Sequence, residues 1–264
     1  MPIAPGTPGT PSLPARPTPD TRPDRYFHPF AAAVLVALMI SGFHHFFFAG
    51  RAYPGRELTP PIRNLIIIHG SIMAAWMLVF LVQPLLILGN NRRLHRRVGT
   101  AGAVIAGCAF LLGLKLGVES ARVKPPGMLV DGLNATQFMA IPVLSMLAFG
   151  VCVAAGIYWR RNPSLHRSFM LVGTLFAISA AVARIDFLSD LYAGTIFATI
   201  WGPFFMTVVV ALVLLALKSI LTRKIDPKLA FGCAGLAVFL AFDFQVSTSR
   251  AWDGVAHFLL RIMG

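Results

Sequence analysis

Apolar and polar positions alternate along this chain in blocks too long for strands or for ordinary core helices. Seven apolar runs stand out: Phe30 to Gly50, Arg63 to Gly89, Val98 to Glu119, Ala135 to Trp159, Ser168 to Phe187, Ala193 to Leu217 and Leu229 to Val246. A hydrocarbon core about 30 Å thick is crossed by roughly 20 helical residues, and each run is of that order. No water is available in the bilayer to satisfy peptide groups, so a span has to be a helix. The connections are short and punctuated by Pro, Gly, Asn and Arg, which makes consecutive helices antiparallel neighbours. The pattern predicts an all-α fold, a polytopic membrane helix bundle of about seven transmembrane helices filling residues 30–250, with no second globular domain. Small residues spaced as Gly113 and Gly117 are would let helix backbones approach closely.

The two ends differ from this middle. Residues 1–29 hold nine prolines, six of them spaced by three (Pro2, Pro5, Pro8, Pro11, Pro14, Pro17), the period of a polyproline II helix. A disordered cytoplasmic tail is expected there, and its PxxP pattern also offers a protein partner a docking strip. The tail has no apolar core of its own, so it is not read as a secretory signal, and the first apolar run is expected to stay in the mature protein. At the other end, residues 251–264 place Trp252, Val255, Phe258, Leu259 and Ile262 at helical spacing opposite Asp253, His257 and Arg261. An amphipathic helix lying in the membrane interface is expected.

Composition sharpens the class. Hydrophobic residues make up 56% and charged residues 12% of the chain, half the charged fraction of roughly 25% in an average soluble domain, which excludes an ordinary soluble enzyme. The excess of 23 Lys and Arg over 10 Asp and Glu is spread over short loops and not gathered on one polar face, so nucleic acid is not the expected partner. The expected partners are the lipid bilayer and, at the basic loops, anionic lipid headgroups. Fourteen of the basic residues fall on one side of the spans: Arg16, Arg22, Arg25, Arg92, Arg93, Arg96, Arg97, Arg160, Arg161, Arg167, Lys218, Arg223, Lys224 and Lys228. The remaining nine share the other side with seven acids. The positive-inside rule then orients the chain with its N-terminus in and its C-terminus out, in a bacterial inner membrane. The three cysteines, Cys108, Cys152 and Cys233, lie inside apolar runs with no CxxC pair, and read as packing residues.

Seven histidines are the main chemical lead in so apolar a chain. At 1.5 Å per residue, His44 and His45 stand about 6 to 8 Å before the outer end of the first span, and His69 about 9 Å inside the outer start of the second. The spans are joined by a short loop, so an imidazole from His44 or His45 would face His69 across them. Lys115, Glu119, Arg184, Asp186 and Asp243 reach the same layer, as mutually satisfying pairs or as functional groups. Along the second span His69, Met73, Trp76, Phe80 and Gln83 form one stripe. Such a stripe is either a packing seam or a haem-facing wall, since iron held by two imidazoles from adjacent helices is the membrane b-type arrangement. The candidate cofactor residues are therefore His44, His45, His69 and Trp76, with Arg184 and Asp243 as outer support, and the candidate metal ligands are His45 and His69. An inner layer holds His95 in RRLHRRVG and His166 in RRNPSLHRSFML, a loose repeat 71 residues apart, where Arg residues bind lipid phosphates or an anionic group.

The run HGSIMAAWMLVFLVQPLLILGNNRRLHRRVG, from His69 to Gly99, resembles a family of bacterial multi-span membrane proteins without an assigned activity. Its pattern is a His-Gly opening a span, a Trp and a Gln within it, and Leu-His-Arg-Arg-x-Gly after it. The similarity covers about Phe30 to Phe187. More distantly, histidines at the ends of successive spans are similar to the cytochrome b561 type, and that resemblance implies haem b. Three functional classes follow: a haem or metal redox protein, a small transporter, and a non-catalytic accessory subunit. A transporter would favour spans broken by Gly or Pro, for which Pro142 and Gly202-Pro203 are the candidates. No nucleotide-binding loop, HExxH or Ser/His/Asp constellation is present to assign a reaction.

Overall fold

The computed structural model describes residues 22–53, 56–58, 60–125 and 127–263. The expectations for the Pro-rich tail at residues 1–21 lie outside them. In chain order the helices are α1 (Arg22–Gly42), α2 (His44–Ala49), α3 (Arg63–Leu88), α4 (Arg92–Arg122), α5 (Ala135–Tyr158), α6 (Pro163–Val182), α7 (Asp186–Asp190), α8 (Ile196–Trp201), α9 (Phe205–Thr222), α10 (Pro227–Ser247) and α11 (Arg250–Ile262). A short antiparallel pair, β1 (Arg51–Tyr53) with β2 (Arg56–Glu57), sits in the loop after α2. Seven stretches among the described residues are long and apolar enough to cross a membrane: those of α1, α3, α4, α5, α6, α8 through α9, and α10. The protein is an all-α, multi-pass membrane helix bundle.

The turns at one end, here the basic end, share a device. Asn91, Asn162 and Asp226 each cap the helix that follows, accepting from the backbone N–H of Leu94, Leu165 and Leu229 at 3.1, 3.3 and 3.2 Å. Pro163 and Pro227 occupy first helical positions, where the missing N–H costs nothing. At the opposite end Asn134 and Gln137 form a reciprocal capping box at the start of α5.

Helix α5 is central and packs against α4, α6, α10 and α11, while α1 leans on α3, α6 and α9. Phe149 of α5, Leu175 and Ile178 of α6, and Leu236 and Leu240 of α10 are fully buried between them. Gly113 and Gly117 are buried on α4, and a Cβ at Gly117 would sit 3.1 Å from Val143 of α5. The small-residue spacing thus serves the close approach expected of it.

Three boundaries differ from expectation. Helix α1 starts at Arg22, ahead of Phe30, because Phe27 enters the core and Asp24 is held by Arg167 and Lys218. The same helix breaks at Phe43, so His44 and His45 open a separate turn beyond it. Span six is also interrupted: Gly202–Phe204 form a 3-10 turn between α8 and α9, with Gly202 at φ +54°. Gln245 of α10 donates to the freed carbonyls of Thr199 and Ile200 at 2.8 and 3.0 Å, which lets the break persist in an apolar setting.

Helix α11 turns part of its apolar spacing inward and part outward. Trp252 and Ala256 are buried against α4 and α5, joined by half-buried Leu259, Leu260 and Met263, while Val255, Phe258 and Ile262 are exposed. The Trp252 indole donates to the Thr136 carbonyl at 2.8 Å, and Arg122 donates to the carbonyls of Leu260 and Met263. The helix is clasped onto the bundle and keeps a second apolar stripe outward.

Candidate functional site

At the opposite end α2 rests on α3 where the Phe46 ring covers Gly70, whose added Cβ would lie 2.7 Å from Phe46 Cζ. His45 and His69 each stand one residue from that contact. The His44 and His45 rings lie against each other, centroids 3.9 Å apart, and His44 Nδ1 lies 2.7 Å from the Ser41 carbonyl. In the neutral ring that contact puts the proton on Nδ1 and leaves the lone pair on Nε2. His69 is turned toward α4 and α5: a Cβ on Gly113 would sit 3.0 Å from His69 Cε1 and 2.6 Å from Met146 Sδ. Its Nδ1 is buried and has no hydrogen-bond partner.

The rest of the α3 stripe faces the core. Trp76 is buried with its ring edge-on to Phe149 at 5.3 Å, and its indole N–H is buried without an acceptor. Met73 and Phe80 pack beside it. The structure therefore places Trp76 between α3 and α5.

The charged residues toward this end divide. Arg184 reaches over the Phe43 ring at 5.0 Å, next to His44, and donates to the Ala180 carbonyl at 2.6 Å. Asp243 is fully buried and accepts from Ser145 of α5 at 3.1 Å, while its other oxygen has no hydrogen-bond partner. Ser145 adjoins Met146, so Asp243 and His69 lie at one level on different faces of α5. Lys115 and Glu119 form the expected pair at 3.4 Å, joined by Arg122. Asp186 opens α7.

Beyond this layer the break in span six borders an open cleft of about 260 Å³ lined by Asp131, Ser189, Tyr192, Gly202, Pro203 and Phe244. Burial raises the Asp131 carboxyl above its ordinary range, against the pull of Arg184 and Lys124. Burial also raises the Tyr192 phenol, with Ser189 acting the other way.

The basic end holds two arrangements that sequence reasoning left unassembled. His95 of α4 and His166 of α6 converge, their ring centroids 6.5 Å apart at an interplanar angle of 81°. Each Nδ1 is tied to a carbonyl of the preceding helix: His95 to Gln83 at 3.3 Å, His166 to Gly156 at 2.8 Å. The repeated Leu-His-Arg was the signal, since two equivalent caps place two equivalent imidazoles. Nearby, Lys218 is buried between Asp226 at 2.8 Å and Asp24 at 3.4 Å, and Arg167 holds Asp24 at 3.1 Å. Burial alone would raise Asp226, but the hydrogen bond and charge of Lys218 and two backbone N–H groups bring its carboxyl below the ordinary range. No local pattern announces contacts so distant in sequence.

Among the described residues no three or more His, Cys, Asp or Glu side chains gather into a metal-binding group. The cysteines are free thiols, and Cys233 packs 3.6 Å from the Ala211 carbonyl. Compared with protein-family models, with curated proteins and with solved structures, the chain finds no match.

Proposed function

We propose that this is a redox protein of the bacterial inner membrane that holds a b-type haem, or failing that a transition metal, between α2 and α3, ligated by His69 and one of His44 and His45. The observation that carries this reading is the buried Nδ1 of His69, which has no hydrogen-bond partner, on the helix whose Gly70 meets Phe46 of α2. A buried imidazole nitrogen without a partner costs on the order of 1–3 kcal/mol unless something binds it. The donor set suits haem, which needs two axial ligands, better than a zinc-type site, which needs three or four protein donors. His44 carries the carbonyl anchor typical of ligating imidazoles. Arg184, over Phe43, would help to balance cofactor charge, whereas Asp243 and Trp76 would act through the packing of α5. Bound haem would supply a one-electron couple. The protein would supply two imidazoles, a dry wall and the tautomer of His44.

In this reading the tail and the basic turns face the cytoplasm, where their arginines meet anionic headgroups, and α11 lies on the outer surface. A reduced-minus-oxidised absorption spectrum of purified protein, made with ample haem and metal, tests the assignment. A low-spin b-type spectrum is expected. Colourless, metal-free protein would reduce the histidines to interhelical packing residues.

A transporter is the second reading, favoured by the break at Gly202–Phe204 and the cleft beside it, with buried Asp243 preceding the cleft residue Phe244. Broken spans and intramembrane carboxyls mark substrate and proton routes. Uptake by proteoliposomes that is abolished in Asp243→Asn, with the spectrum of the protein unchanged, would favour it over the redox role.

A further inference from the structure

At the basic end, away from the proposed haem, two imidazoles approach each other with every other feature of a ligand pair. A metal–imidazole nitrogen bond is about 2.0–2.1 Å, and the ring centre lies about 1.1 Å further on, so two rings bound linearly to one ion have centres about 6.3 Å apart. The His95 and His166 centroids are 6.5 Å apart. Both Nδ1 atoms are committed to backbone carbonyls, so in the neutral rings each Nε2 carries the lone pair, the anchoring that metal-bound histidines use. Gln83 completes the neighbourhood: its carbonyl holds His95, and its side-chain Oε1 is buried with no hydrogen-bond partner.

We infer that His95 and His166 form a binding site for a single monovalent copper ion. Spacing at the linear limit selects an ion content with two ligands, which Cu(I) is and Zn(II) is not. Charge selects in the same direction, because the arginine-rich turns on either side oppose a dication more than a monocation. A macrocycle has no slot here. The gaps at Gly99, Gly102 and Gly156 are closed by Gln83 Nε2, Val79 and Met170, at 2.9, 2.8 and 2.8 Å from where a Cβ would stand.

The test uses the full chain in detergent, stripped of metal and titrated anaerobically with Cu(I) against a chromogenic Cu(I) chelator. Wild type should take one copper per chain, with two nitrogen ligands in its X-ray absorption spectrum. His95→Ala and His166→Ala should weaken retention at least tenfold, and His257→Ala, on the exposed side of α11, should leave it unchanged. His166→Met, which keeps a soft ligand in place, should still bind Cu(I), so an unstable alanine variant does not end the test. No copper above buffer, copper that survives the His95→Ala/His166→Ala double variant, or tighter binding of Zn(II) than of Cu(I) would each overturn the inference. Colourless protein with its copper intact would fail the haem proposal alone.

Discussion

Replacing Lys218 with Met keeps the volume of a long side chain and removes the cation that joins α1, α9 and the start of α10. Its side chain is 6% exposed and those of Asp24 and Asp226 are 12% and 17% exposed, so solvent screens the cluster little. Breaking a buried pair by removing one partner costs about 3–5 kcal/mol. Asp24 keeps Arg167, and Asp226 keeps the N–H groups of Lys228 and Leu229, so the low end, about 3 kcal/mol, is expected. The acid response should change as well. A carboxyl held below its ordinary range contributes stability that is present above the unfolded pKa of about 3.9 and is lost as pH falls through the lower folded value. Wild type should therefore weaken below about pH 4. Without Lys218, only the two backbone N–H groups oppose burial at Asp226, so the loss of stability on the acid limb should be smaller. Unfolding in mixed detergent–dodecyl sulfate micelles, followed by circular dichroism at pH 7 and across the acid limb, measures both effects. A variant within about 0.5 kcal/mol of wild type, with the same acid limb, would refute this account of the cluster.

Gln245→Leu should cost about 1–3 kcal/mol for each carbonyl left bare at the end of α8, and heat denaturation should show it; an unchanged midpoint would mean that the break satisfies itself. Gly113→Ala should destabilise by about 1–3 kcal/mol through overpacking, because the new Cβ meets Met146 and His69. It should also perturb any His69-dependent spectrum, and an unaffected spectrum would separate His69 from the cofactor. A reporter active only in the periplasm should be on when fused after Gly264 and off after Gly89. The reverse pattern would invert the topology.

The spans were legible because their signal is local: twenty apolar residues in a row need no partner to be recognised. What sequence periodicity missed came from tertiary contacts. Phe43 breaks the first helix just before the histidines assigned to it, and Gln245, 46 residues from Thr199, is what allows span six to open. The inward face of α11 was not legible because both of its stripes are apolar, and tertiary contacts pick out Trp252 and Ala256 with Leu259, Leu260 and Met263. The Leu-His-Arg repeat was visible, but its meaning depends on α4 and α6 bringing His95 and His166 together.

The proposed function turns on His69. Haem per chain in purified protein, quantified from the reduced spectrum in wild type and in His69→Ala, tests it most directly. The account predicts haem bound in wild type and lost in the variant while the protein still inserts and stays helical. Equal haem in both, or none in either, would contradict it.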